Sequence, residues 1–103
     1  MLDPGPLSFT YTNVAVGAVS TLLIAANSKR YYLAVFNRSA EIVDLQENAP
    51  AVVGEGTPLN PVDGDGNIQG WHEWSTHLGN LTRQAVYGIT PGGGDIVTVK
   101  EGF

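Results

Sequence analysis

Apolar residues along this chain recur mostly at every second position, between frequent glycines and prolines. That is the period of half-buried β-strands, not of helices. Phe9 and Tyr11 fall on one face of a first strand, with Ser8, Thr10 and Thr12 on the other. Residues 19–26 are apolar on both faces, and Asn27-Ser28 is a turn. Residues 31–36, Tyr-Tyr-Leu-Ala-Val-Phe, form the strongest strand, and two apolar faces predict a central place in a sheet. Residues 41–46 alternate with Val43 and Leu45 on one side, and a short strand is predicted near residues 57–59 within the loose, Gly- and Pro-rich stretch 47–70. Residues 70–74 return to strand character. Ala85, Tyr87 and Ile89 share one face of the next strand. In the last strand Val97 and Val99 oppose Ile96, Thr98 and Lys100.

No segment carries a helical period. Residues 76–83 offer one turn of helix, opposed by Gly79 and Asn80. Seven or eight short strands, with turn signals roughly every 8–12 residues, predict an all-β antiparallel sandwich or small barrel, jelly-roll-like in form. Its expected extent is residues 8–103. Residues 1–7, with Pro4 and Pro6 between Leu2 and Leu7, read as an extended arm able to reach a neighbouring subunit.

The 103 residues suit one domain with one modest core. Charged residues make up 15% of the chain, against about 25% in ordinary globular domains. A surface with few ions is easier for a neighbour to cover, because little charge must be desolvated. The net charge of −5 disfavours nucleic acid, whose backbone is bound by cations. The longest apolar run, residues 22–26, is too short to cross a bilayer as a helix, and the first residues carry no basic start or apolar stretch of a secretory leader. A chain made and soluble in a cytoplasm, without a membrane partner, is therefore expected. The lack of cysteine removes thiol catalysis, thiolate metal sites and disulfides.

Candidate chemistry is sparse. Asp63-Gly64-Asp65-Gly66-Asn67 begins like a calcium loop, but the expected glycine is Ile68 and the expected bidentate glutamate is Trp74. The same pairs are ordinary turn residues. His72 and His77 have only Glu73 near them in sequence, which is not a zinc set. Ser, His and Asp occur without a nucleophile-elbow context, and Gly92-Gly93-Gly94 lacks the Lys-Ser/Thr of a phosphate loop. Paired carboxylates for glycoside hydrolysis can be recognised only from their separation in space. The acceptor patterns at Asn37 and Asn80 read as chance without a secretory leader. No enzyme, cofactor or metal is expected. Trp71-His72-Glu73-Trp74 is the densest cluster: tryptophans three apart in a strand face opposite ways, one into the core and one out to a protein interface or a sugar ring. The pattern leaves open which is which.

Several segments, in order, resemble small virion proteins of tailed bacteriophages. They are Ala26-Asn27-Ser28-Lys29-Arg30-Tyr31-Tyr32-Leu33, Phe36-Asn37-Arg38-Ser39, Pro58-Leu59-Asn60-Pro61, Ala85-Val86-Tyr87-Gly88-Ile89-Thr90 and Val97-Thr98-Val99-Lys100-Glu101-Gly102. The resemblance spans residues 12–102; residues 47–57 and 71–74 are particular to this chain. It implies a β-sandwich of the virion, most like a head-decoration (cement) protein. Its partners would be the major capsid protein or other virion proteins, and it would form a homo-oligomer with a trimer favoured. It carries no catalytic residue. The interface residues expected are Leu2, Pro4, Pro6, Leu7, Arg38, Trp71, His72 and Trp74. Two alternatives stand beside it: a tail, neck or fibre-base component, and a carbohydrate-binding module using Trp71 or Trp74.

Overall fold

The computed structural model describes residues 8–103. The predicted arm, with Leu2, Pro4, Pro6 and Leu7, lies outside the described residues. Eight strands follow one another: β1 (Phe9–Val16), β2 (Thr21–Ile24), β3 (Tyr32–Asn37), β4 (Val43–Glu47), β5 (Thr57–Leu59), β6 (Trp71–Ser75), β7 (Val86–Ile89) and β8 (Asp95–Gly102). They form two four-stranded antiparallel sheets, ordered β1-β8-β3-β6 and β2-β7-β4-β5. First pairs with last, second with seventh, third with sixth and fourth with fifth. This is the strand order of a long hairpin rolled into a sandwich, the jelly roll.

Alternation explains the packing. Val16, Leu33, Val35, Trp74, Val97 and Val99 from one sheet meet Leu23, Val43, Leu45, Leu59 and Val86 from the other in one continuous core. Strand β3 is interior to its sheet, as its two apolar faces predict, and Leu33, Ala34 and Val35 are all fully buried. On β7 the core takes Val86 and Gly88, where a Cβ would stand 3.0 Å from Leu23 Cδ1, so Tyr87 turns outward. Of the apolar stretch 19–26 only four residues pair as a strand, with Leu22 exposed and Leu23 in the core. Residues 76–79 form a hydrogen-bonded turn and no helix.

Polar clamps hold both ends of β3. Arg30, just before it, is fully buried: Nε bonds Glu101 at 2.8 Å, and the other nitrogens donate to the carbonyls of Ala25, Thr82 and Gln84. At the far end buried Asn37 donates to the carbonyls of Glu41, Leu59 and Asn60, and accepts from the Ser39 backbone and hydroxyl. Gly70, beside this second clamp, lies so close to Asn60 that a Cβ would meet its backbone at 2.2 Å. Only glycine permits that approach, and it sets the start of β6 and hence the position of Trp71.

Candidate functional site

Strands β1, β8, β3 and β6 turn one face to the core and the other to solvent. The register aligns the outward residues in rows across the sheet: Phe9, Gly102, Tyr32 and Ser75; then Tyr11, Lys100, Ala34 and Glu73; then Asn13, Thr98, Phe36 and Trp71. One step beyond, the Arg38 backbone N–H donates to Ile96. This face carries the rings of Phe9, Tyr11, Tyr32, Phe36 and Trp71. Tyr11 is 66% exposed and Trp71 55%.

Together Tyr11, Phe36, Arg38, Ile68, Trp71, Thr98 and Lys100 line an open groove of about 430 Å³. The volume falls in the range of ligand and anchor-residue pockets, roughly 300–1,000 Å³. Its parts are held in place. Phe36 and Trp71 are stacked at 6.3 Å with 29° between their planes. Arg38 Nε donates to Thr98 Oγ1, whose hydroxyl in turn donates to Asn13 Oδ1 at 2.7 Å. The Lys100 ammonium lies 4.7 Å from the Phe9 ring centre, 5.4 Å from Tyr11 and 5.3 Å from Tyr32, within cation–π range of all three. Phe9 and Tyr32 meet edge to face.

At the border of the groove the Tyr32 hydroxyl donates to Glu73. Burial, then that hydrogen bond and the carboxylate's charge, push the Tyr32 phenol up to about 12. The Glu73 carboxylate is thereby engaged on the side of the face away from Arg38.

The structure separates the predicted site residues. Arg38 and Trp71 join in the groove. Trp74 is in the core, 3% exposed, and His72 lies on the same inward side with its ring 4.4 Å from the Trp74 ring, so neither reaches the outward face. Tyr11, Phe36, Ile68, Thr98 and Lys100 complete the groove and were not singled out from sequence. Their alternation was readable, but that they share a face depends on pairing between distant strands.

The Asp63 loop is built as a turn. Asp63 Oδ1 accepts the backbone N–H of Asp65 and of Asn67, both at 2.9 Å, and Oδ2 accepts the side-chain amides of Asn67 and Gln69. These donors hold the Asp63 carboxyl below the usual carboxylate range, the backbone N–H of Asn67 contributing most. Among the described residues no group of three or more His, Asp or Glu side chains converges as a metal site would require. No protein-family model matches the chain, and no curated protein or solved structure matches it either.

Proposed function

We propose that this chain is a non-enzymatic structural protein of a tailed-phage virion, a head-decoration subunit that docks on the capsid lattice through the outer face of β1-β8-β3-β6. The observation that carries the docking face is the composition of the groove: Trp71, Tyr11 and Arg38 around stacked Phe36. Trp, Tyr and Arg are the side chains that dominate binding energy at protein interfaces: Trp and Tyr bury a large area while losing little conformational freedom, and Arg adds charge-assisted hydrogen bonds. The rest of the surface is weakly charged and easily covered. The phage assignment rests on the ordered segments that resemble small virion proteins. A cement role asks for a stable, disulfide-free domain whose many modest contacts act together on a repeating lattice, with trimers favoured where three subunits meet.

Capsid shells encoded with this gene should retain the purified protein on co-sedimentation. Trp71→Ala and Tyr11→Ala should each release it while lowering the melting temperature by less than about 6 °C, as expected for exposed positions. Removing residues 1–7 should weaken retention of a folded domain. Wild-type protein that never sediments with shells, but does with tails, would replace the head assignment by a tail component.

A carbohydrate-binding reading is supported by one feature, the half-exposed Trp71 ring at the mouth of a groove with hydroxyl and cationic borders. Binding on a glycan array, abolished by Trp71→Ala, would favour it over docking on protein.

A further inference from the structure

The chain has five basic residues against ten acidic ones, and their distribution is uneven. Arg30 is sealed against Glu101. Arg83 donates to the Arg30 carbonyl and lies over the Tyr31 ring. Lys29 is on the exposed turn before β3. The remaining two, Arg38 and Lys100, both line the aromatic groove. Of the carboxylates nearest to it in the fold, Glu73 is engaged by Tyr32 and Asp63 by its own loop, while Asp65 is exposed at the loop tip. An acidic protein thus presents two cations beside aromatic rings.

The register fixes the two backbone positions, and the Arg38 side chain then turns back to Thr98, two residues from Lys100 on β8. Lys100 stands in the row of Ala34, and Arg38 is four residues further along β3, beside Ile96. Four residues of strand span about 13 Å. The guanidinium, turned back to Thr98, therefore stands nearer to Lys100 than the backbone spacing, and one segment of a partner can reach both cations. Beside the cations lie Tyr11, in the row of Lys100, and the stacked Phe36 and Trp71 one row on, the place for an apolar side chain.

We infer that the groove binds an acidic segment of a partner protein, with carboxylates for Arg38 and Lys100 and an apolar side chain against Trp71, Phe36 and Tyr11. The inference rests on the docking reading and names the chemistry of the docking partner.

Three blocked peptides test it: Glu-Thr-Leu-Thr-Glu, Gln-Thr-Leu-Thr-Gln and Lys-Thr-Leu-Thr-Lys, titrated into the full chain and followed by NMR. The acidic peptide should shift the Trp71 indole and the Arg38 and Lys100 resonances. It should bind about tenfold more tightly than the basic one, a margin that fades in high salt. The double variant R38Q/K100Q should lose this preference while remaining folded. Equal binding of all three peptides, or shifts only elsewhere on the molecule, would overturn the proposal. Shell co-sedimentation separates it from the docking reading. If shells retain wild type and R38E/K100E alike, docking stands and the acidic segment falls. If shells never retain wild type, docking falls, while selective binding of the acidic peptide would still support the groove chemistry.

Discussion

Arg30 and Glu101 form an ion pair 2.8 Å long in which the arginine side chain is fully buried. Asn27 Nδ2 donates to the same carboxylate oxygen at 3.3 Å, so one glutamate near the end of β8 receives the turn that opens β3. The remaining Arg30 donors bind carbonyls of the β2–β3 and β6–β7 connections, closing one end of the sandwich. Truncating Glu101 strands a buried guanidinium. Glu101→Ala should therefore cost about 3–5 kcal/mol, read as a lower urea midpoint at unchanged slope. The double variant R30M/E101L should be less destabilised than the sum of its single changes, because neither charge is left alone. Additive losses would mean that the two residues stabilise the fold independently.

This clamp marks the limit of what the chain order reveals. Strand β3, the short β5 and the opposed faces of Trp71 and Trp74 follow from local alternation and turn residues. The strand order does not, because β1 pairs with β8 and β2 with β7 across most of the chain. Arg30 reads as a surface residue, since arginine is seldom fully buried; only folding collects its acceptors. For the same reason two of the ordered segments, Asn27–Arg30 and Val97–Gly102, gain a physical meaning only in space, where their polar residues bond one another. Asn37 and the Leu59-Asn60 carbonyls do the same at the other end. The groove was half legible: Arg38 and Trp71 stood out as isolated side chains, while their companions depend on non-local register.

The two tryptophans should report different environments. Trp74 fills the core and Trp71 is half exposed, so Trp71→Phe should remove the red-shifted, acrylamide-quenched part of the emission and leave the blue part. Trp74→Ala should cost about 3–5 kcal/mol, as expected for loss of a buried aromatic. Trp71→Ala should cost under about 1 kcal/mol, the scale of one aromatic pairing at the surface. Equal quenching of both single-Trp variants would contradict the assignment of faces.

Tyr32 should ionise late. Its phenol is pushed to about 12 by burial and by the Glu73 carboxylate that accepts its hydrogen bond. In a spectrophotometric titration a phenolate step near pH 12 should vanish in Tyr32→Phe and move down in Glu73→Gln. The folded value is raised above the unfolded one, about 10, so the stability it contributes is complete below pH 10. It is lost as pH rises from about 10 towards 12. Chemical-denaturation midpoints across that window should fall less steeply in the phenylalanine variant.

Glu41 should contribute less to stability at neutral pH than at acidic pH. Its carboxyl is raised above the ordinary value, first by a side-chain hydrogen bond with Asp95, then by burial and by that residue's charge. The Gly92 N–H pulls the other way. Asp95 Oδ2 is buried with no donor facing it among the described residues. A protonated Glu41 on the β3–β4 turn can donate to Asp95 at the start of β8; when that proton leaves, the two carboxylates repel. The raised group favours folding fully below its unfolded value, near 4.5, and that contribution disappears as pH rises through the folded value. Glu41→Gln keeps the hydrogen bond without the charge. Its melting temperature should exceed that of wild type at pH 7, and the gap should close as pH falls towards 4. A gap of the same size at both pH values would assign the gain to packing and not to the charge of Glu41.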